Sequence, residues 1–169
     1  MPSPPAELFR RLTNGVYVVT ASHAGVRDGF TAAWVTQVSF EPLLVALSVN
    51  PGNATWTLID HSGRFTINVL ASGQLEAARH FGLRSGRERD KLAGVATLAV
   101  TAGAVVLADA AAWLDCRVQQ RVPAGDHVVV VAQVVAGDLV HPDAVPLRYA
   151  ETGEMDGSRM LYPPRFAGA

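Results

Sequence analysis

The stretch Asn50-Pro51-Gly52-Asn53-Ala54-Thr55-Trp56 has the residue types of an anion site. Asn53 is a favoured helix N-cap, and the glycine beside it leaves backbone N–H groups accessible. A helix start attracts negative charge, phosphate in particular. Asn53 and Thr55 would add polar side chains, although an ordinary capped helix reads the same way. Gly29 to Ser39 offers a different chemistry. Its small residues Ala32 and Ala33, beside Trp34, would let a flat ligand reach backbone N–H and C=O groups. A strand packed against a helix would look alike. Gly125-Asp126-His127 reads as a turn presenting an imidazole. Arg84, Arg87 and Arg89 read first as a solvated loop, although arginines also suit steering or holding phosphates. Cys116, inside an alternating run, reads as a small core residue.

Other chemistries lack their patterns. There is no Gly-x-Ser-x-Gly elbow, Walker loop, His-Glu-x-x-His or Rossmann glycine motif. The histidines at 23, 61, 80, 127 and 141 are not at metal-ligand spacing, so no metal site is expected. One cysteine excludes an internal disulfide and a cysteine-rich zinc site. Fourteen basic residues face 15 acidic ones, which argues against nucleic acid as a partner. With 49% hydrophobic and 17% charged residues the chain is no disordered segment. That balance leaves little polar surface for a monomer and favours an oligomer. The start, Met1-Pro2-Ser3-Pro4-Pro5, has no basic-then-apolar leader pattern. The apolar stretch Ala99 to Leu114 is broken by Gly103 and Asp109 and falls short of the ~20 residues of a membrane helix. A soluble, cytoplasmic, single domain over 1–169, with no membrane association, is the expectation.

The elements that must position these residues are mostly strands. Val16–Ala21, Phe30–Ser39, Leu43–Val49 and Phe65–Leu70 are β-branched or continuously apolar. Ser22–Gly29 reads as a turn region. Trp113–Val122 and His127–Ala136 alternate on either side of Pro123–Asp126 and predict a hairpin. Weaker strands are expected near 96–100, 104–108, 146–150 and 158–162. Short helices are expected over Glu7–Leu12, from Asn53 through His61, and over Gln74–Phe81. Strands do not alternate with long helices, so an antiparallel barrel with short peripheral helices is predicted rather than a doubly wound sheet.

Taken in order, several segments resemble the flavin reductase-like, FMN-binding split-barrel family, its flavoredoxin-like branch above all. They are Asn14–Thr20, Gly29–Ser39 with Glu41-Pro42, Ser62–Leu70, Asp90–Gly94, Trp113–Cys116 and Gly125–His127. The resemblance implies a mostly β, Greek-key split barrel and a homodimer binding FMN, with FAD possible. It places Thr31, Ala32, Ala33, Trp34, Val35, Thr36 and Gln37 along the isoalloxazine. Ser48, Asn50, Asn53 and Thr55 would hold ribityl and phosphate, and Phe81, Gly82 and Lys91 would flank the flavin. His127 would meet the nicotinamide as the catalytic residue. The implied activity is hydride transfer from NAD(P)H to flavin N5, with a flavin-dependent monooxygenase or another acceptor as partner. An FMN-bound electron carrier is the alternative. A heme module would want an axial His or Met, and no histidine is singled out for that. Two departures stand out. Ala33-Trp34 replaces the Ser-Ser of many members, and Thr152-Gly153-Glu154-Met155-Asp156-Gly157 lacks the branch's two aromatics.

Overall fold

The computed structural model describes residues 3–83, 89–100 and 103–166. Seven strands form one antiparallel sheet: β1 (Tyr17–His23), β2 (Val26–Ala32), β3 (Val35–Ser39), β4 (Leu44–Val49), β5 (Arg64–Val69), β8 (Ala112–Ala124) and β9 (His127–Leu139). A two-stranded ladder joins β6 (Thr97–Leu98) to β7 (Val106–Leu107). The helices are α1 (Pro5–Phe9), α2 (Ala54–Ser62) and α3 (Leu75–Gly82).

The strand order is β2-β1-β5-β8-β9-β4-β3, so β2 and β3 are the two edges. Only Ala33 and Trp34 separate these edges in sequence. Three Cα steps reach at most ~11 Å. In a flat sheet, six strand spacings would put the edges roughly 29 Å apart. The sheet must therefore roll until its edges nearly meet, which makes a barrel with a seam at Ala33-Trp34. Inward-facing alternation fills it: Val45, Leu47 and Val49 are buried on β4, and they pack with Ile59, Phe65, Ile67, Cys116 and Val130. A second apolar cluster, with Val16, Leu70, Phe81 and Leu92, lies beneath α3.

The predicted strands and helices are largely present, with instructive differences. Ser22–Gly29 is not one turn region but the middle of the β1–β2 hairpin. Its turn is Ala24-Gly25, both at positive φ (49° and 80°), as primed hairpin turns require. The expected strand Phe30–Ser39 is two strands split by the seam. The expected helix over Glu7–Leu12 starts earlier, with Pro5 at its head, and ends at Phe9. Near 146–150 the described residues form two isolated bridges, Pro146 to Ala71 and Arg148 to Gly15, rather than a strand. Tyr149–Thr152 and Ser158–Leu161 are 3-10 turns. Arg84 and Arg87 lie outside the described residues.

Candidate functional site

Two cavities open at the seam. One, of about 560 Å³, is lined by Phe9, Trp34, Val35, Tyr149 and Tyr162, with Asn14, Thr36 and Ser48 as its polar members. Among the described residues no charged side chain lines it. The second, of about 230 Å³, is lined by Thr31, Ala32, Ala33, Asn50, Asn53, His127 and Asp156 among others. Trp34, Ser48 and Tyr149 line both, so the cavities meet at these residues. A smaller cavity of about 90 Å³ joins Thr31–Ala33 to Gly82 and Met155.

The second cavity reaches the start of α2 at Asn50 and Asn53. Asn53 caps the helix by accepting the Thr55 N–H at 3.0 Å, and Asn50 Oδ1 accepts the Gly52 N–H at 2.8 Å. Thus the expected capped turn is present, with helix-start polarity facing the cleft. His127 stands at the head of β9. Its ring packs against Trp34 at 4.9 Å between centroids, and its Nδ1 lies 2.8 Å from Asp126 Oδ1. That bond holds the exposed Asp126 carboxyl below its ordinary value.

A strap over residues 153–162 closes the outer wall. The Tyr149 hydroxyl donates to Asp156 at 2.6 Å, and Ser158 Oγ lies 3.0 Å from the same hydroxyl. Burial alone would raise the Asp156 carboxyl, but the bonds from Tyr149 and Ser158 outweigh it and hold it below the usual aspartate value. Arg10 bonds the Gly153 carbonyl and pairs with Glu154, and Tyr162 packs on Phe9 at 5.5 Å. Residue types alone did not mark Phe9, Tyr149, Tyr162 or Asp156 as site residues. Their signal is topological, since α1 and the strap come from opposite ends of the chain.

Of the residues expected at a flavin, Thr31–Thr36, Ser48, Asn50, Asn53, Gly82 and His127 line these cavities. The Gln37 side chain is exposed and bonds the Ser39 carbonyl. Thr55, Phe81 and Lys91 are turned inward, at 0%, 2% and 3% exposure. Phe81 belongs to the core under α3. Thr55 Oγ1 donates to Asp28 Oδ2 at 2.7 Å, and Lys91 Nζ faces Asp28 Oδ1 at 3.4 Å. Asp28 thus engages the side chains of Thr55 and Lys91, and the core under α3 holds Phe81.

The donor set suits a flavin mononucleotide. Such a molecule has a flat apolar three-ring end, a polyol and an anionic end. The aromatic cavity, the Ser48 junction and the capped helix start follow that order.

Residues 9–157 match the flavin reductase like domain. The chain belongs to that family.

As a flavin reductase like domain, it has an antiparallel, mostly β fold. Putative diflavin flavoprotein A 5 of Nostoc sp. is 34% identical over 153 residues, covering 89% of this chain and 27% of that protein. The chain thus spans about a quarter of the length of the curated relatives it matches. Among solved structures, the Streptomyces globisporus NADH:FAD oxidoreductase SgcE6 superposes with a TM-score of 0.80 at 26% identity, over 90% of this chain and 93% of that one. A nitrilotriacetate monooxygenase component B homolog from Mycobacterium thermoresistibile gives 0.74 at 31% identity, over 85% and 81%. Among the described residues no helix is long and apolar enough to cross a membrane, and no cluster of His, Cys, Asp or Glu could hold a metal ion.

Proposed function

We propose that this domain binds FMN across the two joined cavities and takes hydride from NADH or NADPH. The observation that carries the reading is their meeting at Trp34, Ser48 and Tyr149, apolar on one side and helix-capped on the other. When bound, the flavin supplies the hydride and electron chemistry. The protein's residues do the rest. Backbone groups of Ala32 to Thr36 orient the ring system, and the aromatic wall excludes water from it. Ser48, Asn50, Asn53 and the start of α2 hold the ribityl-phosphate end. His127, backed by Asp126, sits where a nicotinamide ring would be positioned. No acid–base pair is needed for hydride transfer itself.

The relative SgcE6 has also been solved with NAD and FAD fragments, which supports a nicotinamide donor here and keeps FAD open as a flavin. A homodimer, a cytoplasmic setting and a monooxygenase or other electron acceptor as partner belong to the same proposal. Light scattering showing a flavin-bound monomer at micromolar concentration would remove the homodimer from it. The second reading, a flavin-bound electron carrier without nicotinamide activity, draws on the diflavin relatives, in which the matching stretch is a fraction of a longer chain. One experiment separates them. The visible spectrum of purified protein, reconstituted with FMN, is followed during anaerobic addition of NADH and NADPH. Bleaching of the flavin band supports the reductase. An unbleached band supports the carrier, and failure to take up flavin overturns both.

A further inference from the structure

The side chains of Asp28, Thr55 and Lys91 form a sealed charge network directly behind the start of α2. Asp28 is on β2, Thr55 in the first turn of α2, and Lys91 in the segment after α3. They are 5%, 0% and 3% exposed. Thr55 links the network to the helix start, because its N–H is capped by Asn53 while its hydroxyl bonds Asp28. The Lys91 ammonium meets Asp28 Oδ1 at 3.4 Å as an ion pair, and among the described residues that oxygen accepts no hydrogen bond. The backbone of Lys91 is pinned too: its carbonyl lies 2.6 Å from His80 Nε2, so that nitrogen carries the proton.

Two buried unit charges of opposite sign nearly cancel at a distance. If either is removed, the other acts on the cleft through protein rather than water, where screening is weak. We infer that the Asp28–Lys91 pair holds the charge behind the phosphate near neutral and so limits this site's preference for a phosphorylated flavin: Lys91 alone would strengthen that preference, and Asp28 alone would weaken it. Neither residue touches the ligand; both are positioning residues acting through the Thr55 turn. The inference rests on the proposed phosphate position at α2.

The test compares FMN with riboflavin, which shares the ring and polyol but lacks the phosphate. Affinities are measured by flavin fluorescence titration of the apoprotein, wild type against Asp28→Asn, Lys91→Met and the double variant. Asp28→Asn should raise the FMN-over-riboflavin preference on the order of tenfold. Lys91→Met should lower it by a similar factor, and the double variant, neutral again, should return within about twofold of wild type. Both shifts should shrink in 0.5 M salt less than a surface pair's would. A merely structural role moves both flavins together and leaves the preference unchanged, which would overturn the inference. A wild type with no preference for FMN would overturn the phosphate position as well. Should Lys91→Met fail to fold, the direction of Asp28→Asn and the return of the double variant decide alone.

Discussion

Replacing His127 by alanine removes the ring that packs on Trp34 at 4.9 Å and 52°. A tilted aromatic pair contributes ~0.5–1.5 kcal/mol beyond area burial. Trp34 is 48% exposed, so the lower part of that range applies, about 0.5–1 kcal/mol. The indole lines both cavities, and its loosened position should weaken FMN binding by about 2- to 5-fold. Loss of a nicotinamide-positioning contact should slow flavin reduction further, by roughly 10- to 100-fold. The assays are FMN titration of the apoprotein and anaerobic stopped-flow reduction by NADH and NADPH. His127→Phe separates the two effects, because it keeps a ring against Trp34 but offers no N–H. It should retain FMN affinity and still reduce slowly. Wild-type affinity together with wild-type reduction in His127→Ala would refute both roles and leave His127 as a turn residue.

Tyr149→Phe removes the hydroxyl that bonds Asp156 and Ser158, and should loosen the strap at a cost of about 0.5–1.5 kcal/mol in urea unfolding. Because the Asp156 carboxyl is depressed in the folded state, its contribution is present above the unfolded value and is lost as pH falls through the folded one. The difference between Tyr149→Phe and wild type should therefore narrow below about pH 3.9. Arg64→Met leaves the 2% exposed Asp115 without its cation. It should cost about 2–3 kcal/mol, short of the ~3–5 of a fully buried pair, since Arg64 itself is partly exposed; chemical denaturation checks it. The Cys116 thiol, pushed up to about 12 by burial and then by the Asp115 charge, should react with a disulfide reagent at pH 8 at least ~100-fold more slowly folded than unfolded.

The β8–β9 hairpin and the capped start of α2 were legible because local chemistry and final structure agree there. Alternation over residues 113–122 and 127–136 matched a half-buried ladder, and Asn53 caps as its type prefers. The β1–β2 hairpin was hidden because Ala24 adopts a positive φ that alanine seldom takes, with only Gly25 beside it as a signal. The break at Ala33-Trp34 carried no turn residue, since barrel closure imposes it. The inward turn of the Thr55 and Lys91 side chains was not legible for a related reason. Asp28, which claims both, lies far from them in sequence, and a polar residue near a ligand segment looks the same whether it faces cleft or core. The aromatic wall at Phe9 and Tyr162 needed tertiary structure to be seen at all.

The Ala33-Trp34 joint also decides where this protein can change. Its length is fixed by the span between two edge strands, so an inserted or deleted residue there would have to be absorbed by the register of the whole barrel. New ligand preferences at the seam must arise by exchanging side chains in place. The strap over 153–162 is free of that constraint, since among the described residues it pairs with no strand and is held by a few side-chain contacts. A library aimed at new substrates should vary residue identity at 33 and 34, and both identity and length between Gly153 and Tyr162.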